Sequence, residues 1–589
     1  MRGFDDAENL SGLIVSQSLV GLTEYISERK SHEGIRMMDV TQKVLDIARK
    51  VHVEKELTYL YVKFFNPDKQ LLINPRNMKY PYINYTTNDL VLFPLLYGGR
   101  CTEMVLQVLL SHALNLRGVR SKFILCDRKL PICLRQTINN KVNCDFCYYR
   151  GGKIASSLNI PINWIGDFVD DRDITVANKL VSSLNFDEYR GLNYKGVNIG
   201  QYAEAATKRF LQTGVINNKE LDITIFSKYL VSSVLHVELS ERILTKIKPS
   251  HLIISNIAYL PGVFLEYFNK NGVKCIACDL GISNGTLNLN HLDQERKTLY
   301  HISSETWRKY SAHGLSNAQK KEFEKLLYSR AKGSEMFVDY GKFAKNKLKE
   351  EITKLLNIDV NKNIGILFTN LLWDASLARA DIVFKDQFEW IFETIRWFFH
   401  HNEKLLIIKV HPAEDIIGTC QSVLSYINSE FPELPENIKI LPPKSEISTY
   451  GLFDVVDYGI LYTSTAGLEM AIHGIPIIVT AETHYRGKGF TFDAKDKEGY
   501  FNLLENSEKL EMPSTMQDLA YKYGYLHFCD RQIPFKFIEF GGDYFSLPKL
   551  KLDDWHDLLT GSDKSLDKIC EGIIYGKEFL GSGGYDDED

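Results

Sequence analysis

Short apolar runs alternate with longer stretches of helical spacing from about residue 86 onward. "LVLFPLL" is strand-like and leads into Gly98-Gly99, "CTEMVLQVLLSHALNLRG" has helical spacing and ends at Gly118, and "VRSKFILCD" is the next apolar run. "HLIISN", "PGVFLEYFNKNG" and "VKCIACDLG" repeat this strand, helix, strand cycle. Such alternation predicts a parallel, doubly wound α/β sheet.

A second alternating series follows a charged, helix-like stretch that runs from "SNAQKKEFEKLLYSRAKG" to "KFAKNKLKEEITKLLNI". The series begins at "IGILFTN", and the strand "LLIIKV" ends directly before His411. Between them, "DQFEWIFETIRWFFHH" carries a broad apolar face suited to packing on a sheet. Its apolar positions at helical spacing are Phe388, Ile391, Phe392, Ile395, Phe398 and Phe399.

The pattern predicts an α/β fold of two doubly wound, Rossmann-like domains with an N-terminal extension. The extension takes residues 1–85 and is partly helical, and the first Rossmann-like domain, with a cysteine cluster, takes residues 86–340. The second Rossmann-like domain takes residues 341–560. Residues 561–589 are expected to form a C-terminal helix and an acidic, disordered tail, "GSGGYDDED".

Composition narrows the classes of partner. The chain has 589 residues, which is too long for one core, and it is 44% hydrophobic and 25% charged, as in globular proteins. A net charge of -5 does not favour nucleic acid as the main partner. No signal peptide and no apolar run of membrane-spanning length is evident. We therefore expect a cytoplasmic protein and leave open peripheral contact with a membrane.

The stretch 461–479, "LYTSTAGLEMAIHGIPIIV", predicts a strand, a helix start and a second strand. Ser464 and Thr465 are good N-cap residues, and Gly467 would let a ligand come close. Free N–H groups at such a start favour a phosphate, and Glu469, one turn in, could hold ribose hydroxyls. An ordinary capped crossover helix fits the same pattern.

Ligands of open α/β sheets bind beyond the carboxyl ends of the strands. His411 occupies that position and could donate to a phosphate oxygen, with Glu414 in the same loop. Arg486 and Lys488 in "THYRGKGFT" suit a phosphate clamp on a mobile loop, although a solvated loop has the same composition.

The end of the first strand of the second domain, "LFTNLLWDA", supplies three more candidates. Thr369 and Asn370 are expected beside the nucleotide phosphates. Asp374 either reaches the reacting centre or caps a helix.

Three side chains of the first domain are of a type that could act as a general base. His291, Glu103 and Asp279 are the candidates, and the local sequence does not separate them.

Four cysteines lie within 22 residues, as "CDRKLPICLRQTINNKVNCDFC". Cys126, Cys133, Cys144 and Cys147 could enclose a tetrahedral structural zinc, and the C-x2-C pair is typical of half of such a site. Buried free thiols and a redox dithiol are the alternatives.

Taken together, these motifs resemble the bacterial capsule and surface polysaccharide biosynthesis proteins. The resemblance covers most of residues 90–535 in order, including "IGILFTNLLWDA", "LLIIKVHPAED" and "LYTSTAGLEMAIHGIPIIVTAETHYRGKGFTFD". The group includes capsule Kdo transferases and is similar to bacterial sialyltransferases of GT-B fold. Their HP and Ser/Thr-rich motifs, which hold the nucleotide of a CMP-sugar, would fall on His411-Pro412 and Ser464-Thr465.

The sialyltransferases' acidic base motif has no clear copy. Asp170-Asp171 is followed by Arg172, and Asp279 in "CDLG" lacks a preceding acid.

The resemblance implies a GT-B-like glycosyltransferase with metal-independent catalysis. The second domain, residues 341–560, would bind the nucleotide-sugar donor, which is CMP-activated in the sialyltransferases. The enzyme would move the sugar to a glycan or glycolipid acceptor of a capsule or surface polysaccharide. The acceptor and the general base would lie in the first domain, and peripheral contact with the inner membrane or with a polysaccharide assembly machinery is left open. His411, Asp374 and His291 are its expected catalytic residues, and no cofactor is required for catalysis. The alternatives are a nucleotide-sugar epimerase of the same fold and a non-catalytic polysaccharide assembly factor.

Overall fold

A computed structural model describes residues 83, 85–94, 97–139, 144–158, 160–331, 347–375, 380–539 and 548–582. They lie in one compact unit, residues 68–589. Almost all of the predicted N-terminal extension, the predicted boundary at residues 340 and 341, and the predicted acidic tail from residue 583 fall outside the described residues.

The strands are short, and the central ones of the two large sheets are buried. In chain order they are β1 (Leu90–Phe93), β2 (Arg120–Leu125), β3 (Ile162–Trp164), β4 (Asn193–Tyr194), β5 (Val197–Asn198), β6 (His251–Ile254), β7 (Lys274–Leu280), β8 (Thr286–Leu292), β9 (Asn363–Phe368), β10 (Lys404–Lys409), β11 (Ile438–Leu441), β12 (Tyr458–Leu461), β13 (Ile477–Val479), β14 (Phe492–Asp493), β15 (Ile533–Pro534), β16 (Ile538–Glu539) and β17 (Lys549–Leu550).

The helices connect these strands as crossovers or pack outside them. In chain order they are α1 (Cys101–Leu116), α2 (Cys144–Ser157), α3 (Asp171–Ser182), α4 (Ile199–Leu211), α5 (Glu220–Lys246), α6 (Pro261–Lys270), α7 (Ser304–Ala312), α8 (Asn317–Ala331), α9 (Lys349–Leu356), α10 (Gln387–Phe399), α11 (Val423–Glu430), α12 (Thr449–Phe453), α13 (Ala466–Ile472), α14 (Lys497–Glu505), α15 (Ser514–Tyr525) and α16 (Lys564–Tyr575). Among the described residues, no helix is long and apolar enough to cross a membrane.

Two large sheets form the framework, which confirms the predicted α/β class with two doubly wound halves. The first has the order β15-β8-β7-β6-β1-β2-β3, and the second has the order β11-β10-β9-β12-β13-β14. All pairs of the second sheet are parallel, whereas β8 and β15 are the antiparallel edge of the first. In each sheet, the early strands are added on one side of the first strand and the later strands on its other side. The change of side lies between β1 and β6 in the first sheet and between β9 and β12 in the second. Open α/β sheets bind ligands at such a switch point.

Helices on both faces of each sheet explain why the strands are continuously apolar. Leu405 and Ile407 of β10 face one core of the second half, and Leu406 and Ile408 face the other. The predicted amphipathic helix forms as α10, with Asp386 capping it by accepting from the Glu389 N–H at 2.8 Å. Its buried face includes Trp390 and Ile391, but Phe399, which the pattern had assigned to that face, is 39% exposed.

The two halves exchange segments, so the predicted boundaries do not coincide with the sheets. Tyr310 of α7 and Phe323 of α8 pack in a core of the second half, although both lie in the range 86–340. Conversely, β15 lies in the range 341–560 but pairs with β8 of the first sheet. Helix α16 forms within the predicted C-terminal segment, and its Cys570 packs in a core of the first half.

Candidate functional site

The carboxyl ends of β9, β10 and β12 bring together the residues predicted to hold a nucleotide. Thr369 and Asn370 follow β9, His411 follows β10, and Thr463 and Ser464 follow β12. The Asn370 side-chain amide donates to Thr463 Oγ1 at 2.8 Å, which ties the two loops at the switch point together. The geometry therefore places these residues around one point at the edge of the second sheet.

His411 is held by both its backbone and its ring. Its backbone N–H donates to Thr369 Oγ1 at 3.0 Å, and its Nδ1 accepts from the Ala413 N–H at 3.1 Å. Burial lowers the pKa of His411, although the charge of Asp374 opposes that shift. The imidazole is therefore neutral near pH 7 with its proton on Nε2, and it can donate a hydrogen bond from that atom.

A cluster of three partly buried charged side chains lies at the carboxyl edge of the first sheet. Arg100 precedes α1, and its Nε lies 2.9 Å from an oxygen of Glu103 in the first turn. Burial raises the pKa of Glu103 to about 7, against the opposing charge of Arg100 and with the help of Asp279. Asp279, at the end of β7, is partly buried, and desolvation raises its pKa. This half thus presents two coupled carboxyl groups with one arginine.

Two tyrosines connect this cluster with the second half. The Tyr259 hydroxyl donates to the Trp373 carbonyl oxygen at 3.4 Å. Tyr300 is 40% exposed as a whole, yet desolvation of its hydroxyl, together with the charges of Asp279 and Asp374, raises its pKa. Because the loop after β6 contacts the loop after β9 through Tyr259 and Trp373, the carboxyl edges of the two sheets adjoin, and the region between them is called the cleft.

His291 lies away from this cleft. Strand β8 runs antiparallel to β7, so His291 pairs with Ile276 near the opposite end of the sheet. Its Nε2 lies 3.0 Å from the Lys577 carbonyl oxygen, and its ring stacks on Phe579 with centroids 4.7 Å apart. The structure therefore does not support the catalytic role predicted for His291, and Glu103 and Asp279 are the base candidates that reach the cleft.

Glu469 is engaged elsewhere than at a ribose. Its Oε1 accepts from Arg330 Nε of α8 at 3.0 Å, and both side chains are at least 90% buried. Arg330 also lies over the ring of Phe528, 4.2 Å from its centroid. The predicted sugar-binding carboxylate is thus the anionic partner of a buried arginine.

The start of α13 also differs from the prediction. Thr465 makes no side-chain capping bond, while Ser464 Oγ accepts from the Ala466 N–H at 3.3 Å, and the helix has only seven residues. A side chain at Gly467 would come within 2.6 Å of the Tyr485 hydroxyl, so close protein packing accounts for this glycine. Tyr485 in turn donates to the Ser464 carbonyl at 2.6 Å.

Glu414 acts within its own segment. Both of its carboxylate oxygens lie 3.2 Å from the Val423 N–H at the start of α11, and burial raises its pKa to about 7. It therefore holds the loop after β10 to the next helix, a role different from the predicted donor contact.

The predicted phosphate clamp is likewise bound to protein. Arg486 donates to the Val479 carbonyl at 2.9 Å and to the Ala494 carbonyl, which fixes the loop after β13. Lys488 donates to the Ile302 carbonyl at 3.1 Å. Neither cation points to the switch point, because both are used to hold the loop and to connect it with the segment before α7.

The acid pair Asp170-Asp171 is structural as well. Asp170 caps α3 by accepting from the Arg172 and Asp173 N–H groups. A base motif is therefore not found there.

The four clustered cysteines line one small cavity at the carboxyl edge of the first sheet. Cys126 follows β2, Cys133 lies in the next loop, and Cys144 and Cys147 form the first turn of α2. Burial raises the pKa of Cys133 to about 12, and the charge of Cys147 adds to it. None of the four thiols forms a disulfide. Across the described ranges, no group of three or more His, Cys, Asp or Glu side chains is already arranged to hold a metal ion.

Sequence reasoning missed four residues of the cleft: Arg100, Tyr259, Tyr300 and Thr463. Arg100 and Thr463 could have been found from position, since each follows a predicted strand end or its turn. Tyr259 and Tyr300 lie in irregular segments whose place near the cleft depends on the packing of the two halves.

Comparison with protein families gives a match over part of this chain. Residues 260–522 match the family of capsule polysaccharide biosynthesis proteins. The match covers the switch point of the second half and confirms the predicted family resemblance. No curated protein matches this chain in sequence.

Solved structures with similar architecture include glycosyltransferases and epimerases. The Thermosulfurimonas dismutans KpsC β-Kdo 2,4-transferase is 13% identical over 46% of this chain and 79% of its own, with a TM-score of 0.30. The Neisseria meningitidis UDP-GlcNAc 2-epimerase is 10% identical over 74% and 96%, with a TM-score of 0.24. The Streptomyces nogalater glycosyltransferase SnogD is 12% identical over 74% and 95%, with a TM-score of 0.22. At these values the similarity does not transfer a substrate to this chain.

Proposed function

We propose that this protein is a glycosyltransferase that moves a sugar from a nucleotide donor to a capsule or surface polysaccharide acceptor. The observation that carries the proposal is the meeting of the two carboxyl edges, where the Tyr259 hydroxyl after β6 donates to the Trp373 carbonyl oxygen after β9 at 3.4 Å. The family match over residues 260–522 supports the polysaccharide context. The glycan or glycolipid acceptor enters from the side of the first sheet.

The nucleotide sugar lies at the switch point of the second sheet. Thr369, Asn370, Thr463 and Ser464 offer hydroxyl and amide groups there, and His411 donates from Nε2 to the departing phosphate. A hydrogen bond from a neutral donor in a buried site becomes stronger as negative charge develops on the phosphate oxygen. A CMP-activated donor is the first candidate, because the HP and Ser/Thr motifs coincide with His411 and Ser464.

Glu103 is the general base. Its pKa of about 7 is suited to accepting a proton from the acceptor hydroxyl near neutral pH. Arg100 orients its carboxylate, and Asp279 tunes its pKa. Asp374 lies on the donor side of the cleft and stabilises positive charge that develops on the sugar. The proposed mechanism uses no metal ion.

A thermal-shift measurement with CMP, UDP, GDP and dTDP tests the donor site. A ligand that binds only the native state raises its stability by about 2.7 kcal/mol at a hundredfold excess over Kd. We expect one nucleotide to stabilise the protein selectively, and His411→Ala to lose that shift. His400→Ala, an exposed histidine at the end of α10, is the matched control and should keep it.

Turnover assays then separate transfer from its alternatives. A transferase releases nucleotide only when an acceptor glycan is present, whereas an epimerase converts the donor without one. Failure of all four nucleotides to stabilise the protein at millimolar concentration would contradict a nucleotide-sugar enzyme and favour an assembly factor.

A further inference from the structure

The cavity that Cys126, Cys133, Cys144 and Cys147 line is built from three separate segments. They are the end of β2, the loop that follows it and the first turn of α2. Its remaining lining includes Tyr97, Arg128, Leu130, Gln136 and Tyr148. Four cysteine side chains therefore face one cavity, although they are spread over 22 residues of the chain.

The loop that carries Cys133 is held in place from outside the cavity. The Ile132, Cys133 and Leu134 carbonyls accept from Ser232, Tyr229 and Arg209 of helices α4 and α5, at 3.0, 3.3 and 2.5 Å. On the other side, Arg128 pairs with Asp145 and lies over Tyr148, 4.6 Å from its ring centroid. These contacts hold the loop after β2 and the first turn of α2 in place around the cavity.

Other cysteines of the chain provide a comparison. Cys101, Cys278 and Cys570 are fully buried among aliphatic and aromatic side chains, where a thiol acts as a small apolar group. The clustered cysteines instead face a cavity with polar and cationic neighbours, and Cys144 is exposed at one side. Simple core packing does not account for four thiols in such a place.

We propose that these four cysteines bind one zinc ion. The C-x2-C pair in the first turn of α2 is half of a tetrahedral thiolate site, and Cys126 and Cys133 complete it. The sulfurs must rotate about their Cα–Cβ bonds to close on the ion. A change between staggered rotamers moves a sulfur by about 3 Å, which leaves the backbone in place.

The ion would stabilise the turn that leads to the proposed base. Gly98 packs so closely on α2 that an added Cβ would lie 2.5 Å from the Cys147 carbonyl oxygen. Arg100 and Glu103 follow this turn directly. Zinc binding therefore fixes α2 against the Gly98-Gly99 turn. An effect of zinc on catalysis rests on the proposed function, whereas the metal site itself does not.

Metal analysis of the full-length protein is the first test. We expect one zinc per chain after purification without added metal. A thiol-specific mercurial should release this zinc by blocking the cluster thiols, and a colorimetric indicator should detect the released ion. Protein refolded with Co²⁺ should show the intense near-ultraviolet and visible bands of a tetrahedral thiolate site.

Variants assign the ligands. Cys147→Ser should lower zinc content at least tenfold, since even indirect changes around a metal site cost about 10–100-fold in affinity. Cys420→Ser, an exposed cysteine outside the cluster, is the control and should keep full zinc. Should Cys147→Ser fail to fold, the mercurial release from the parent protein still decides the question.

Three results would overturn the proposal. They are a parent protein that neither contains zinc nor takes up Co²⁺, an iron–sulfur absorption spectrum in its place, and a disulfide between Cys144 and Cys147 in the native protein. Each of these measurements is independent of transferase activity, so failure of the zinc site and failure of the proposed function are distinguishable.

Discussion

The guanidinium of Arg330 and the carboxylate of Glu469 form a buried ion pair between α8 and α13, with Nε and Oε1 3.0 Å apart. The two residues are 139 positions apart in the chain, and α13 immediately follows the loop that carries Ser464. The pair thus anchors the helix beside the switch point to a helix contributed by an earlier part of the chain.

Removing one partner of this pair should destabilise the protein strongly. Glu469→Gln leaves a buried arginine without its anionic partner, a change that typically costs about 3–5 kcal/mol. Denaturant unfolding measures the loss, and the half-exposed pair Arg396–Glu393 provides the control, because Glu393→Gln should cost less than about 1 kcal/mol. A ribose-binding role would instead appear as weaker nucleotide binding with unchanged stability.

Replacing Glu103 tests the proposed base. Glu103→Gln keeps the shape of the side chain and removes the proton acceptor, so kcat should fall by about 10²–10⁴. Because the carboxyl group must be ionised to act, wild-type kcat/KM should rise with pH through about 7. Glu305→Gln, an exposed residue of α7, should leave both the rate and the profile unchanged. An unaltered pH profile in Glu103→Gln would assign the base to another group.

Glu414 makes stability depend on pH. Its folded pKa of about 7 lies above the ordinary value of 4.5 because of burial. The folded state therefore binds the proton more tightly than the unfolded state, and the associated stability is complete below pH 4.5 and is lost as the pH rises through 7. The whole effect amounts to at most about 3 kcal/mol.

Comparison with Glu414→Gln isolates this contribution. Unfolding free energies at pH 5 and pH 8 should show the wild type losing stability relative to the variant. A pH-independent difference would mean that Glu414 titrates normally. Buried His236, whose pKa burial lowers to about 4, acts in the opposite direction and is common to both proteins.

Gly98 should tolerate no side chain. In Gly98→Ala the new methyl group would lie 2.4 Å from the Gly151 Cα, so backbone must move, at a cost of about 1–3 kcal/mol. Gly314→Ala is the matched control, since nothing lies within 4 Å of its added Cβ. Thermal unfolding of both variants checks the prediction, and equal melting temperatures would contradict the close packing of α2 on this turn.

Periodicity was sufficient to predict the two sheets and the position of the donor loops. Strand β10 and helix α10 lie where the apolar pattern placed them, and Thr369, Asn370 and His411 meet because the carboxyl ends of parallel strands share one edge. Local sequence does encode these features, since strand ends and helix spacing depend on neighbouring residues.

Roles that depend on distant partners were not predictable in this way. His291 was misplaced because strand direction is set by pairing, and β8 runs against its neighbour. The sequence suggests that Arg486 is a loop cation available to a ligand, but in the structure it donates to two backbone carbonyls on either side of its own loop. Glu469 finds its partner only after α8 packs on the second half, which no local pattern specifies.

The return of β15 to the first sheet has a consequence for synthesis on the ribosome. The edge of β8 remains unpaired until residues 533 and 534 have left the exit tunnel, by which time the second half has been translated. During that interval β8 presents open backbone groups, which are a template for pairing with other chains. A nascent chain that stalls after the second half but before β15 would consequently be prone to aggregate through this edge.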